Sequence, residues 1–121
     1  MARTSKTARG NTKWPKPAST ARLDELIEEA LVDAYGEDEK ASAFHCMLED
    51  HLALPFATEI LGVEVVVERV ELTVDGRIVA VCSRAGYRQR VSILDLPFPD
   101  PAPDGVEWIE AYRRWAGGTQ R

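Results

Sequence analysis

Apolar runs are short throughout this chain, and cysteine and histidine are scarce, with two of each among 121 residues. No segment approaches the roughly 20 consecutive apolar residues that cross a bilayer, and no hydrophobic stretch follows the basic N-terminus as one does in a secretory signal. The expectation is a cytoplasmic protein with no membrane partner. Cys46 and Cys82 make neither a CxxC pair nor a disulfide framework, which predicts free thiols in a reducing compartment. Also missing are a nucleophile elbow, a glycine-rich phosphate loop, and a Ser or Cys nucleophile with a recognisable base. The expected role is therefore not enzymatic.

Acids are absent from the first twenty residues, where five bases stand: Arg3, Lys6, Arg9, Lys13 and Lys16. All twenty acids and ten of the fifteen bases consequently fall in residues 21–121, which carry −10 although the whole chain carries −5. This asymmetry predicts a basic tail over residues 1–19 and a single domain over residues 20–118. The tail is rich in Thr, Ser, Lys, Arg and Pro, and its one large apolar residue, Trp14, buries too little surface to offset the entropy of ordering it. An apolar content of 45% is enough for one modest core.

The apolar spacing changes along the chain. Leu23, Leu26, Ile27, Ala30, Leu31 and Ala34 recur at helical intervals, with Ser19 or Thr20 as N-cap and Gly36 as the stop. A second helix is predicted over residues 37–53, with Ala41, Phe44, Met47, Leu48 and Leu52 inward, ending before Pro55. The short link predicts an antiparallel helical hairpin. Beyond Pro55 the period becomes two: residues 63–68 alternate, residues 72–74 lead into an Asp75-Gly76 turn, and residues 77–82 and 87–93 read as further strands. Prolines 97, 99, 101 and 103 predict an extended connector. Asp104 and Glu107 resemble a capping box for a closing helix whose buried face carries Trp108, Ile109, Tyr112 and Trp115 or Ala116, and which Gly117-Gly118 end. Helices, then strands, then a helix predict an α+β fold: a hairpin packed on a small SH3-like barrel or sheet and closed by a C-terminal helix.

The chemistry concentrates in residues 23–59, where eleven carboxylates face one base, Lys40. Crowded oxygen donors suit a hard divalent cation better than a catalytic role. Glu37, Asp38 and Glu39 open a helix, where the dipole favours a carboxylate, whereas Glu29, Asp33, Glu49 and Asp50 sit toward helix C-termini, where it opposes one. Glu25, Glu29 and Asp33 also form a like-charged stripe at four-residue spacing. The plain alternative is a solvated helix face neutralised by the arginines at 77, 84, 88 and 90. Zinc at His45, Cys46, His51 and Cys82 is disfavoured because neighbouring ligands on a helix diverge.

The segment Asp33-Ala34-Tyr35-Gly36-Glu37-Asp38-Glu39, followed by Leu48-Glu49-Asp50-His51-Leu52 and Pro55-Phe56, resembles the small cyanobacterial calcium-binding proteins and their bacterial relatives. In that family a helical DAYxExE segment precedes an LEDxLxxPF signature, an SH3-like β region and a tryptophan-bearing helix. The resemblance spans about residues 23–117 and implies Ca²⁺ bound by surface carboxylates, as a buffer or a sensor. Gly36 and the 44–47 stretch depart from the family pattern, as do the basic strands. No EF-hand is present: with Asp33 at loop position one, glycine falls fourth rather than sixth, and Phe44 stands where the bidentate glutamate belongs. The expected ligands are Asp33, Glu37 and Asp38 at the inter-helix turn, with Glu49 and Asp50 as a second, weaker site. The alternative is a metal-free SH3-like module in which Arg84, Tyr87, Arg88 and Arg90 contact a protein or a nucleic acid. The −10 body makes nucleic acid the poorer partner, and a protein would meet the tail or the 97–103 connector. Deleting residues 1–18 is expected to leave the melting temperature within ~2 °C, checked by a thermal melt, because such a segment contributes no core.

Overall fold

The computed structural model describes residues 19–119, so the basic tail lies outside the described residues. Helix α1 (Thr20–Leu31) is capped by Ser19, whose Oγ accepts from the Arg22 N–H at 3.1 Å. Its apolar stripe buries Leu26 and Ala30 fully, with Leu23, Ile27 and Leu31 at the core edge. The helix ends at Leu31, and Gly36 serves as N-cap of helix α2 (Glu37–His51) rather than as the stop of α1. Gly36 has no side chain to cap with, so three acids in the first turn of α2 are what complements its exposed N–H groups and dipole.

Four strands follow: β1 (Phe56–Ile60), β2 (Val63–Leu72), β3 (Ile78–Arg84) and β4 (Tyr87–Ser92). They form one antiparallel sheet in the order β1-β2-β3-β4, an open meander rather than a closed barrel. Two of its turns have two residues, Leu61-Gly62 between the paired Ile60 and Val63, and Ala85-Gly86 between the paired Arg84 and Tyr87. All four turn residues have positive φ, the geometry whose twist matches that of the strands. The Asp75-Gly76 turn is wider than a two-residue loop: the Thr73 N–H donates to Arg77 O at 2.7 Å, enclosing Val74, Asp75 and Gly76. The stretch 63–68 and Leu72, read from sequence as belonging to separate segments, join in the single strand β2, while Thr73 and Val74 fall in the turn beyond it. The register of β2 shifts at Glu68 so that Val67 and Val70 both face inward.

Helix α3 (Val106–Thr119) closes the fold; it begins two residues after Asp104 and runs through Gly117 and Gly118 instead of stopping there. The described core joins Leu26 of α1, Phe44 and Leu48 of α2, the inward residues Val67, Val70, Ile78, Ala80 and Cys82 of the sheet, and Trp108, Ile109 and Tyr112 of α3. Phe44 is fully buried, edge-on to Tyr112 with centroids 5.4 Å apart and 5.2 Å from Trp115. α1 packs on α2 and α3, while α2 packs on β2. The proline-rich connector has no helix or strand and is held from α3 and β1. Arg113 donates to Ile93 O at 3.0 and 2.9 Å and lies over the Phe98 ring, and Thr58 Oγ1 donates to Pro97 O at 2.8 Å.

Where the connector enters α3, Gly105 has φ +88° and a Cβ there would lie 2.1 Å from His51 O. Both the conformation and the space exclude a side chain. Gly105→Ala is expected to cost at least ~2 kcal/mol in a urea unfolding titration, since positive φ and overpacking each carry ~1–3 kcal/mol. Phe44→Ala should cost ~3–5 kcal/mol by the same measurement, because it empties a fully buried aromatic site.

Candidate metal centre

Residues 32–36 connect α1 to α2 and bring the end of one helix beside the start of the next. Glu29 and Asp33 from the α1 side and Asp38 and Glu39 from α2 line one open concavity of about 470 Å³, with Ser42 and Met47 also on its wall. Glu39 is tied to the turn, its Oε1 accepting from the Tyr35 N–H at 2.9 Å. Of the expected turn ligands, the fold thus brings Asp33 and Asp38 to one space. Glu37 lies elsewhere: its Oε2 is 3.8 Å from Lys40 Nζ, and with Asp38 it lines a neighbouring concavity that also takes Asp75 and Arg77 of the β2–β3 loop and Tyr112 and Trp115 of α3. Asp38 stands between the two spaces and lines both.

Glu49 and Asp50 are exposed at the other end of α2, some eleven residues and about 16 Å of helix from Asp38. Glu49 Oε2 lies 3.6 Å from His45 Nε2, which is itself 3.2 Å from Val70 O. Among the described residues no group of three or more His, Cys, Asp or Glu is placed so that it could hold a metal ion. His45, Cys46, His51 and Cys82 accordingly do not converge; Cys82 is buried, which pushes its thiol pKa up, and Cys46 is exposed. Glu29 belongs to the same like-charged stripe as Asp33, so its presence on the wall was readable from spacing. Glu39 and Asp75 were not: Glu39 reads as an ordinary helix-start acid, and the approach of Asp75 to α2 is tertiary.

Among the described residues, the arginines at 77, 84, 88 and 90 make no ion pair with the helical acids. Arg88 Nε is 3.0 Å from Glu68 Oε1, Arg90 Nε is 2.9 Å from Glu71 Oε1, and Arg77 Nε is 3.0 Å from Asp75 Oδ2. Arg69 joins both Glu68 and Glu71, and Arg84 donates to the Glu64 carbonyl. The sheet's outer face is therefore a ladder of cross-strand ion pairs. Hydrogen bonds from Ser83 and Arg88 hold the Glu68 carboxyl below its ordinary value, and bonds from Arg90 and Arg69 do the same for Glu71. Elsewhere Arg114 pairs with Asp24 at 2.8 Å and Arg22 with Glu25 at 3.3 Å. Among the described residues no Lys, Arg or His comes within 4.0 Å of a Glu29, Asp33, Asp38 or Glu39 carboxylate.

Four carboxylates line one solvent-open space with no cation paired to them among the described residues; their oxygens are the donor type a hard divalent ion prefers over the Met47 thioether on the same wall, although no three of them stand together as a metal-binding group. The chemistry of the donors fits calcium. Residues 24–116 match the calcium-binding family CcbP, well over half of the chain, and the chain belongs to that family. It is a calcium-binding protein. Comparison with curated proteins and with solved structures gave no match.

The sheet ladder sets an acid limit to stability. A carboxyl whose pKa is lowered by folding stabilises the fold fully above its unfolded value, and that contribution is lost as pH falls through the folded one. For Glu68 and Glu71 the loss begins near the ordinary value of 4.5 and continues below it. In urea titrations from pH 7 to pH 3 the midpoint should fall below that point, and the Glu68→Gln, Glu71→Gln double variant should show a shallower fall.

Proposed function

We propose that calcium binds at the α1–α2 turn through Asp33 and Asp38, supported by Glu29 and Glu39, without an EF-hand, and that the chain works as a calcium buffer or sensor rather than as an enzyme. The observation that carries this reading is the contrast in charge. Glu68, Glu71 and Asp75 each have an arginine, while the four acids of the turn share one space and have no cation within 4.0 Å among the described residues. A divalent ion there would remove like-charge repulsion that nothing in the described fold offsets. Glu37 is a helper at most, since it is shared with Lys40 and faces the adjoining space. Glu49 and Asp50 form the second, weaker site.

The affinity follows from the same geometry. The site is open, its ligands come from two helices instead of one rigid loop, and the positive end of the α2 dipole opposes a cation beside Asp38. These features place the dissociation constant in the micromolar range or above, by comparison with rigid loops carrying more converging charge. A non-enzymatic role is favoured because the half-buried histidine, His45, has its Nε2 engaged at a main-chain carbonyl, Val70 O, at 3.2 Å. A metal-free nucleic-acid module is disfavoured because Arg88 and Arg90 are already paired with sheet acids.

Calorimetric titration of chelator-treated protein with Ca²⁺ and then Mg²⁺ tests the reading, with saturable calcium heat and weak magnesium competition expected. Calcium at one hundred times its dissociation constant should stabilise the fold by ~2.7 kcal/mol. Asp38→Asn should abolish the calcium-dependent rise in melting temperature and lower the calcium-free melting temperature slightly through its helix-start position. Glu49→Gln with Asp50→Asn should leave the tighter binding step intact. An Asp38→Asn protein with the full calcium response would move the site away from this turn.

A further inference from the structure

The sheet is longer than its helical cover. Along the inner face of β2 the alternation Val63, Val65, Val67 passes from exposed through half-buried to fully buried, and the α2 side chain His45 bonds to this strand at Val70, in its far part. The uncovered end is an open groove of about 340 Å³ whose floor is Cys82 and whose walls carry Ile60, Val65 and Val91, with Leu61 and Tyr87 at its lip, 98% and 80% exposed. No carboxylate lines it, in a region of net −10, and two arginines, Arg84 and Arg88, do. Arg88 is paired with Glu68. Arg84 is not paired in that way: it donates to the Glu64 carbonyl at 3.0 Å, and among the described residues no carboxylate lies within 4.0 Å of it. Beside the groove β4 is an edge strand, so its outward backbone groups are open to a further strand.

We propose that this groove binds an extended segment of a partner protein, apolar at alternate positions and carrying a carboxylate that meets Arg84, added along the free edge of β4. Other occupants fit less well. The chain's own tail has five bases and no acid and would be repelled by the arginines. A second copy pairing β4 on β4 would set Arg88 and Arg90 against their own counterparts, since an isologous contact brings a patch onto itself. A nucleic acid would find phosphate partners only at the rim, over aliphatic walls and beside a strongly acidic body. The groove uses none of the turn carboxylates, so this reading stands apart from the calcium site.

The test is an array of ten-residue peptides with Val, Ile, Leu or Phe at alternate positions and Glu, Lys or Ser at the others, probed with the full chain in calcium and in chelator, beside a ten-nucleotide oligothymidylate. Retention of the Glu set in both conditions, with the Lys set at least ~10-fold weaker, is expected, as befits a charge contact of ~1.4 kcal/mol or more. Arg84→Glu should reverse that preference, a result that misfolding would not produce. Leu61→Asn, compatible with the positive φ of 52° at that turn, should weaken every set without lowering the melting temperature. The proposal is overturned if no set is retained, if Glu and Lys sets bind alike, if oligothymidylate binds as well as the Glu set, if Arg84→Glu leaves the preference unchanged, or if ultracentrifugation shows a dimer that Arg84→Glu dissociates.

Discussion

Twenty carboxylates share residues 21–121 with ten bases, so the acids outnumber the cations that can pair with them by two to one. The arrangement of those few cations decides the character of each surface. Arg69, Arg77, Arg88 and Arg90 stand on the outer face of the sheet and its β2–β3 loop, where register brings them to Glu68, Glu71 and Asp75. Arg22 and Arg114 attend the start of α1, and Lys40 attends Glu37. Among the acids left without such a partner are those of the turn between α1 and α2, and the arginine left without a carboxylate, Arg84, stands at an apolar groove. A calcium ion and an acidic peptide are complementary to these two remainders for the same reason.

Helix α2 is the element through which the layers meet. It touches α1, α3 and β2, and its Phe44 sits at the centre of an aromatic cluster with Tyr112 and Trp115. Its own hydrophobic stripe is narrow, built on Ala41, Phe44 and Leu48, so its exposed flank is free to carry acids without weakening the core. The burden of holding α2 in place falls on packing rather than on its caps, because Gly36 supplies no capping side chain.

Much of the architecture was legible in the amino acids because it depends on local rules. The α1 stripe and Ser19 cap follow from spacing and residue type, and so does the turn at Asp75-Gly76. β1 was not, since residues 56–60 form a short edge segment directly after a proline and gain their strand character only by pairing with β2. The reading of Gly117-Gly118 as a stop failed because the packing of Trp115 and Ala116 on the core outweighs the intrinsic cost of glycine in a helix. The same divide runs through the site. Density of carboxylates at the turn was evident, but which of them share a space was not: Glu37 and Asp38 are neighbours in sequence and lie about 100° apart on the helix, enough to send one toward Lys40 and leave the other on the turn. Cross-strand partners of the arginines were equally hidden, since they depend on a register that the bulge at Glu68 shifts.

The contact between Gly105 and the end of α2 has a mechanical meaning. α2 is a strut of fifteen residues, about 22 Å long, with Asp38, the proposed calcium ligand, near one end and, at the other, His51 stacked on Trp108 with rings 5.2 Å apart. Because the backbones of Gly105 and His51 approach too closely to admit even a methyl group, the joint between α2 and α3 has no slack. A small tilt of the strut at its Asp38 end therefore reappears as a displacement of the indole at the far one, which makes Trp108 an optical gauge of that tilt already built into the molecule.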